Sequence, residues 1–201
     1  CIRDSGGKAY FATKDRPHGF FAPNLNPETG KRFRAGKGSL YEGGLKVPYL
    51  VRWPKKIKPS SVSNHLFYYP DIMPTLAELT DATCPKTDGI SFLPTLLSKG
   101  RQANHAHMYW ELGRQRAVRK GDWKAYRDKK GNWELYDLSI DIEEQIDLAD
   151  KKEKMLQDLI ALAESSHQPA RLGEILNQAL VDKDRREAPH ERNLLFKKPK
   201  K

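Results

Sequence analysis

With 201 residues, the chain is long enough for one domain with a real core and hardly for two large ones. Hydrophobic residues make up 38% and charged residues 31%, so it reads as globular but polar, and no apolar run approaches the ~20 residues of a membrane helix. A net charge of +10 attracts anions of any kind, whether nucleic acid, anionic lipid or sulfated glycan. The two cysteines, Cys1 and Cys84, make no metal motif and leave the compartment open.

The first recognisable stretch is Asp4-Ser5-Gly6-Gly7. On spacing alone it is a turn, in which short polar side chains satisfy nearby backbone groups. From Lys8 to Arg34 the chain is dense in Pro, Asn, Gly and aromatic residues, which argues against regular structure. A loop of that length is functional or disordered. Arg16 and His18 lie within it and read as solvated loop side chains. Segment 14–58 holds eleven Lys/Arg against three Asp/Glu, so the basic excess gathers here.

Gly36-Lys37-Gly38-Ser39-Leu40-Tyr41-Glu42-Gly43-Gly44-Leu45-Lys46-Val47-Pro48 follows. Glycine on both sides of Lys37 permits a tight loop and close approach of a ligand. That loop would present the ammonium as a point charge with three donors, which suits an anionic oxygen. Taken alone, Gly-Lys-Gly reads as a solvated surface lysine in a flexible loop. Ser39 and Glu42 have capping-box spacing, but the two glycines after Glu42 limit any helix to a single turn. Glu42 is better read as pairing with a backbone or basic group to hold the loop that aims Lys37.

Leu45 to Trp53 is rich in Val, Leu, Tyr and Trp and predicts a strand, with Pro48 tolerated near its start. Asp71 is placed as the N-cap of a helix over Ile72–Leu79, in which Pro74 falls in the first turn. Ile72, Leu76 and Leu79 form one apolar stripe, read as core. His65 is read as structural. Next come four short β-prone runs, Ala106–Glu111, Arg116–Arg119, Trp123–Arg127 and Trp133–Leu138, with hairpin turns at Gly121-Asp122 and Lys130-Gly131-Asn132. Trp123, Trp133 and Tyr136 are expected in the core of that small sheet. His105 and His107 share a face by period two, but nothing joins them as a third metal ligand. Asp150–Ser165 has helical apolar spacing and should cover one face of the sheet. The chain then loses periodicity and ends in the basic run Lys197-Lys198-Pro199-Lys200-Lys201.

The Gly36–Pro48 string, continued by Val51-Arg52-Trp53-Pro54, resembles the signature of the sulfatases, the formylglycine-dependent branch of the alkaline-phosphatase superfamily. Lys55 stands where that family often has glycine. Asp71-x-x-Pro74-Thr75-Leu76-x-x-Leu79, Asp88-Gly89-Ile90-Ser91-Phe92-Leu93-Pro94, the phrase Ala117 to Lys124 and Glu134-Leu135-Tyr136-Asp137-Leu138 are also similar to family segments. The resemblance implies an α/β fold: residues 1–100 as the C-terminal part of an alkaline-phosphatase-like α/β sandwich, 101–168 as a small antiparallel sheet with one packing helix, and 169–201 as a basic tail. It implies that Lys37 contacts the sulfate, and that Asp4 binds calcium. Ser5 stands where the family has an asparagine that also binds the ion, and a hydroxyl is a shorter, weaker ligand. The family's nucleophile is a formylglycine made in a C-x-[PSA]-x-R motif, which this chain does not contain.

The expected function is therefore hydrolysis of a sulfate ester, of a sulfated sugar or an aryl sulfate, by an enzyme of which this chain is an incomplete portion and inactive alone. Partners implied are a sulfated small molecule or glycan, with no nucleic acid, and export to the periplasm or outside the cell. Two other readings stand beside it. One is a non-catalytic basic module that binds polyanions, supported by the charge balance. The other is a degenerate sulfatase whose metal site is weakened at Ser5.

Overall fold

A computed structural model describes residues 25–169, the backbone strand Ile2–Arg3 and Lys183. The chain divides into two compact units, Cys1–Ser166 and His167–Lys201, and the named elements lie in the first. Asp4, Ser5, Arg16 and His18 fall outside the described residues, as does the terminal lysine run.

The centre of the first unit is an antiparallel meander of β3 (Met108–Leu112), β4 (Gln115–Lys120), β5 (Trp123–Arg127) and β6 (Trp133–Asp137), in the order β3-β4-β5-β6. The strands and both expected turns sit where β-propensity and turn chemistry place them. Asp128 closes the β5–β6 turn by accepting the Lys130 and Asn132 amides, each at 2.8 Å.

Successive residues of a strand face opposite sides, and here both sides are buried. Val118, Ala125 and Leu135 point to α4 (Glu153–Ser166), where Leu156, Leu159 and Ala163 meet them. Ala117, Tyr126 and Tyr136 point the other way and receive Leu40, Tyr41 and Leu138. The expected packing helix thus covers one face. The other is covered by the segment that carries the Gly-Lys-Gly string.

Ahead of the sheet lie α1 (Glu42–Leu45), β2 (Tyr49–Leu50), a 3-10 turn over Tyr69–Asp71 running into α2 (Ile72–Leu79), and α3 (Leu93–Leu97). Strand β1 (Ile2–Arg3) pairs with β2, Ile2 opposite Leu50 and Arg3 opposite Tyr49. The strand expected over Leu45–Trp53 is thus only two residues long among the described residues. Leu45 is taken into α1, and the imide nitrogens of Pro48 and Pro54 give no ladder hydrogen bond on either side.

Helix α2 has the expected bounds and Asp71 is its N-cap residue, but the Asp71 side chain makes no capping bond to the helix. Its fully buried carboxylate turns back to the Tyr68 amide (3.0 Å), out to the Ile90 amide (2.8 Å) and to His105 Nε2 (2.8 Å). It is a junction between segments. Nor is the apolar stripe core: Leu76 is 54% and Leu79 37% exposed. The buried side carries Thr75 and Ala77, with Thr75 Oγ1 donating to Asp71 O (2.6 Å) and accepting the Phe92 amide (3.0 Å). Apolar spacing identifies a helix face but not the surface that covers it.

His105 and His107 both precede β3 and separate completely, His105 to Asp71 and His107 to Ser166 Oγ (2.8 Å).

Candidate functional site

Residues 34–44 form a loop and a single helical turn seated on the sheet. Lys37 is at the apex, exposed, between Gly36 and a Gly38 with φ +86°. The Ser39 amide donates to Gly36 O at 3.1 Å and closes the turn beneath it. Gln115 Nε2, from the first residue of β4, reaches Gly38 O at 3.3 Å.

The two glycines of α1 are needed because the loop lies directly against them. A Cβ on Gly43 would stand 2.3 Å from Arg34 O, and one on Gly44 would stand 2.2 Å from Ser39 O and 2.6 Å from Gly36 O. The Gly43 amide uses that proximity to donate to Arg34 O at 3.0 Å. Tyr-Glu-Gly-Gly is thus the seat of the Lys37 loop, and any side chain at either glycine displaces the loop.

The flanks are fastened to the sheet. Tyr41 stacks on Tyr126 with ring centroids 3.9 Å apart and donates to Glu134 Oε2 at 2.6 Å. Tyr136 donates to the same oxygen at 2.6 Å. The Arg34 guanidinium lies 4.2 Å over the Tyr41 ring, donates to Tyr136 Oη at 2.5 Å and comes within 3.6 Å of Glu134. Burial first, and then the hydrogen bonds to Glu134, push both phenols up in pKa, so they stay protonated. Arg34 is therefore committed to this network, while Lys37 in the same loop faces solvent.

Glu42 does not complete a capping box with Ser39: the N-cap of α1 is Tyr41, without a side-chain capping bond. Its buried carboxylate instead accepts from Lys124 Nζ at 2.8 Å, with Arg119 at 4.0 Å. Pairing with a basic group was the alternative that the sequence offered. Lys124 also lies 2.7 Å from Glu144 Oε1, and Glu144 Oε2 accepts the Glu42 amide at 2.5 Å. Burial works against ionisation of Glu42, but Lys124 and then Arg119 outweigh it and the pKa falls below the ordinary range. At Glu144 burial prevails: despite Lys124, it and the neighbouring Glu42 charge hold the pKa above the ordinary range.

Lys124, Glu144, Arg34 and Glu134 were not singled out from sequence. Lys124 had a readable signal, because by period two it shares the face of Tyr126, an unusual place for a lysine on a strand with a buried face. Glu144 lies in an irregular segment with φ +57°, where no periodicity applies.

Among the described residues no group of three or more His, Cys, Asp or Glu is arranged to hold a metal ion. The two expected ligands, Asp4 and Ser5, lie outside them.

The family model for "N-sulphoglucosamine sulphohydrolase, C-terminal" matches residues 31–167, which includes the whole of this loop and its seat. This chain is a member of the sulfatase family. It is 32% identical over 151 residues to an N-acetylgalactosamine-6-O-sulfatase of Bacteroides thetaiotaomicron, covering 66% of this chain and 29% of that protein. It is 34% identical over 128 residues to arylsulfatase A of Bos taurus, covering 56% and 25%. A solved sulfatase from work on the metabolism of glycosaminoglycans by Bacteroides thetaiotaomicron superposes with a TM-score of 0.58 at 31% identity, over 66% of this chain and 31% of the other. The fold is accordingly the alkaline-phosphatase-like α/β fold of the sulfatases, as the resemblance implied. The chain spans between 25% and 29% of the length of these two curated relatives. Among the described residues no helix is long and apolar enough to cross a membrane.

Proposed function

We propose that this chain contributes to the hydrolysis of a sulfuric ester, and that Lys37 is its contact to the sulfate. The observation that carries this reading is the placement of Lys37: an exposed ammonium at the apex of a glycine-bounded loop whose two ends are clamped to a rigid sheet. A loop backbone held in that way fixes the base from which Lys37 reaches a sulfate or leaving oxygen on which negative charge develops, which is where placed cations lower a barrier most. In this family the formylglycine hydrate supplies the nucleophile. Lys37 donates to the sulfate oxygens, neutralises charge and orients the ester; Arg34 and the Tyr41–Glu134–Tyr136 network hold the loop to the sheet.

Under the same proposal Asp4 provides a carboxylate oxygen to a calcium ion and Ser5 a hydroxyl, the oxygen donors that hard divalent cations take. Ser5→Asn in the complete polypeptide should then tighten calcium binding, and an unchanged affinity would remove Ser5 from the site. The substrate we propose is a sulfated sugar or an aryl sulfate, a reading supported by the similarity to an N-acetylgalactosamine-6-O-sulfatase and to arylsulfatase A.

The test is kinetic, in the complete polypeptide that carries this chain. Lys37→Ala should lower kcat/KM for 4-nitrophenyl sulfate by about 100-fold or more without changing thermal stability. An unchanged kcat/KM would contradict the reading, as would turnover of the ester by the isolated 201 residues. Salt-sensitive binding of polyanions that ignores both calcium and Lys37 would point instead to a non-catalytic basic module.

A further inference from the structure

We infer that Lys124 is a positioning residue for Lys37: with Glu42 and Glu144 it forms a buried charge clamp that sets where the Lys37 loop stands on the four-stranded sheet. The inference rests on the sulfate-contact reading of Lys37.

The three side chains come from three separate segments. Glu42 opens α1, five residues after Lys37, and both glycines behind it lie against the loop backbone. Lys124 is on β5 with its side chain wholly buried, and Glu144 is in the turn that follows β6, also wholly buried. Lys124 Nζ donates to Glu42 Oε1 at 2.8 Å. It also forms an ion pair with Glu144 Oε1 at 2.7 Å. Glu144 closes the figure twice, through Oε2 to the Glu42 amide and through its carbonyl, which accepts from Arg34 Nη1 at 3.0 Å. The clamp therefore grips the loop on both sides of Lys37, at Arg34 and at Glu42. Glu144 adopts φ +57° to reach both, a conformation uncommon outside glycine.

Folding alone does not require this arrangement. Removing charges from water is costly, and an apolar trio of similar volume would hold the sheet as well or better. What an ion-paired fork adds over apolar contact is direction. Apolar packing leaves α1 free to slide on the tyrosine face of the sheet, whereas fixed donor and acceptor positions allow one seating. Loss of about 1 Å in the placement of a catalytic group costs on the order of 100-fold in rate, so a device that fixes seating acts on the reaction through Lys37.

The test is a cycle in the complete polypeptide, read as kcat/KM on 4-nitrophenyl sulfate. The variant Lys124→Met/Glu42→Gln/Glu144→Gln removes all three charges and nearly preserves volume. It should fold, lose about 100-fold in kcat/KM and exchange the Gly43 and Ser39 amide hydrogens faster. Added to Lys37→Ala it should cost almost nothing more, because the group it positions is gone. If the triple variant does not fold, Glu42→Asp keeps every charge and shortens one arm by a methylene. It should lose about tenfold, again only when Lys37 is present. Wild-type kcat/KM in the clamp variant, or a loss that simply multiplies with that of Lys37→Ala, would overturn the inference and leave the sulfate contact standing. If Lys37→Ala alone has no effect, the sulfate-contact reading fails and the positioning role falls with it.

Discussion

The sheet with α4 and the segment from β2 to α3 are built on opposite plans. In the sheet and α4, Ala117, Val118, Ala125, Leu135, Tyr136 and Ala163 have no exposed surface, and apolar residues are buried on both faces of the sheet. Between β2 and α3 several large apolar side chains are exposed, Leu50 at 62%, Tyr69 at 66%, Met73 at 55% and Leu76 at 54%, and few are buried, Phe92 and Leu93 among them. What holds that segment is polar stitching around buried Asp71 and Thr75, a Gln102 side chain that binds Ser91 O and Thr95, and a small cluster of Tyr49, Phe67 and Phe92. Non-directional burial fixes the first region, and directional bonds fix the second. The Lys37 loop belongs to the first, since Leu40 and Tyr41 are part of that core, but it takes its exact seating from charge.

Substitutions break this comparison in graded steps. Lys124→Met, made singly, leaves two buried carboxylates without their cation and should cost about 3–5 kcal/mol in denaturant unfolding. A cost below 1 kcal/mol would mean that water reaches the clamp. Leu159→Ala, under the sheet, should cost about 3 kcal/mol. Asp71→Ala leaves the part-buried Tyr68 and Ile90 amides without their acceptor, so it should cost about 2 kcal/mol. That loss should be confined to segment 65–105, as amide exchange would show.

A smaller effect depends on pH. Because the Glu144 pKa is raised on folding, its contribution to stability is full below the ordinary carboxylate range and is lost as pH rises through the raised value. Glu144→Gln removes that loss. The variant should therefore gain on the parent as pH rises from about 4 towards neutrality, whereas Glu42, with a lowered pKa, contributes in the opposite sense. Denaturant midpoints at two pH values check the sign. Leu76→Ala, on the exposed face of α2, should change the stability of this chain by no more than about 0.5 kcal/mol. A loss comparable to that of Leu159→Ala would show that the two regions do not differ as described.

Much of this was legible in the sequence because it is local. The turns at Gly121-Asp122 and Lys130–Asn132, the strand Trp123–Arg127 and the helix Ile72–Leu79 depend on propensity, period and turn chemistry within a few residues. The Lys37 loop was legible as a string because a glycine on each side of Lys37 and the Gly43-Gly44 pair after it leave few other structures. Its supports were not, since the partners are distant in the chain: Glu42 with Lys124 and Glu144, and Arg34 with Glu134 and Tyr136. The partners of the Asp71 carboxylate were hidden for the same reason, although Asp71 holds the expected N-cap position. Its position before a helix suits a cap, but the amides and histidine that claim it lie 3, 19 and 34 residues away.

The central claim is that Lys37 meets the sulfate. The most direct measurement is a crystal structure of the complete polypeptide with inorganic sulfate bound. The account predicts Lys37 Nζ within about 2.7–3.2 Å of a sulfate oxygen, with the loop seated on Gly43 and Gly44 as described. Sulfate held by other side chains, with Lys37 turned to solvent, would contradict it.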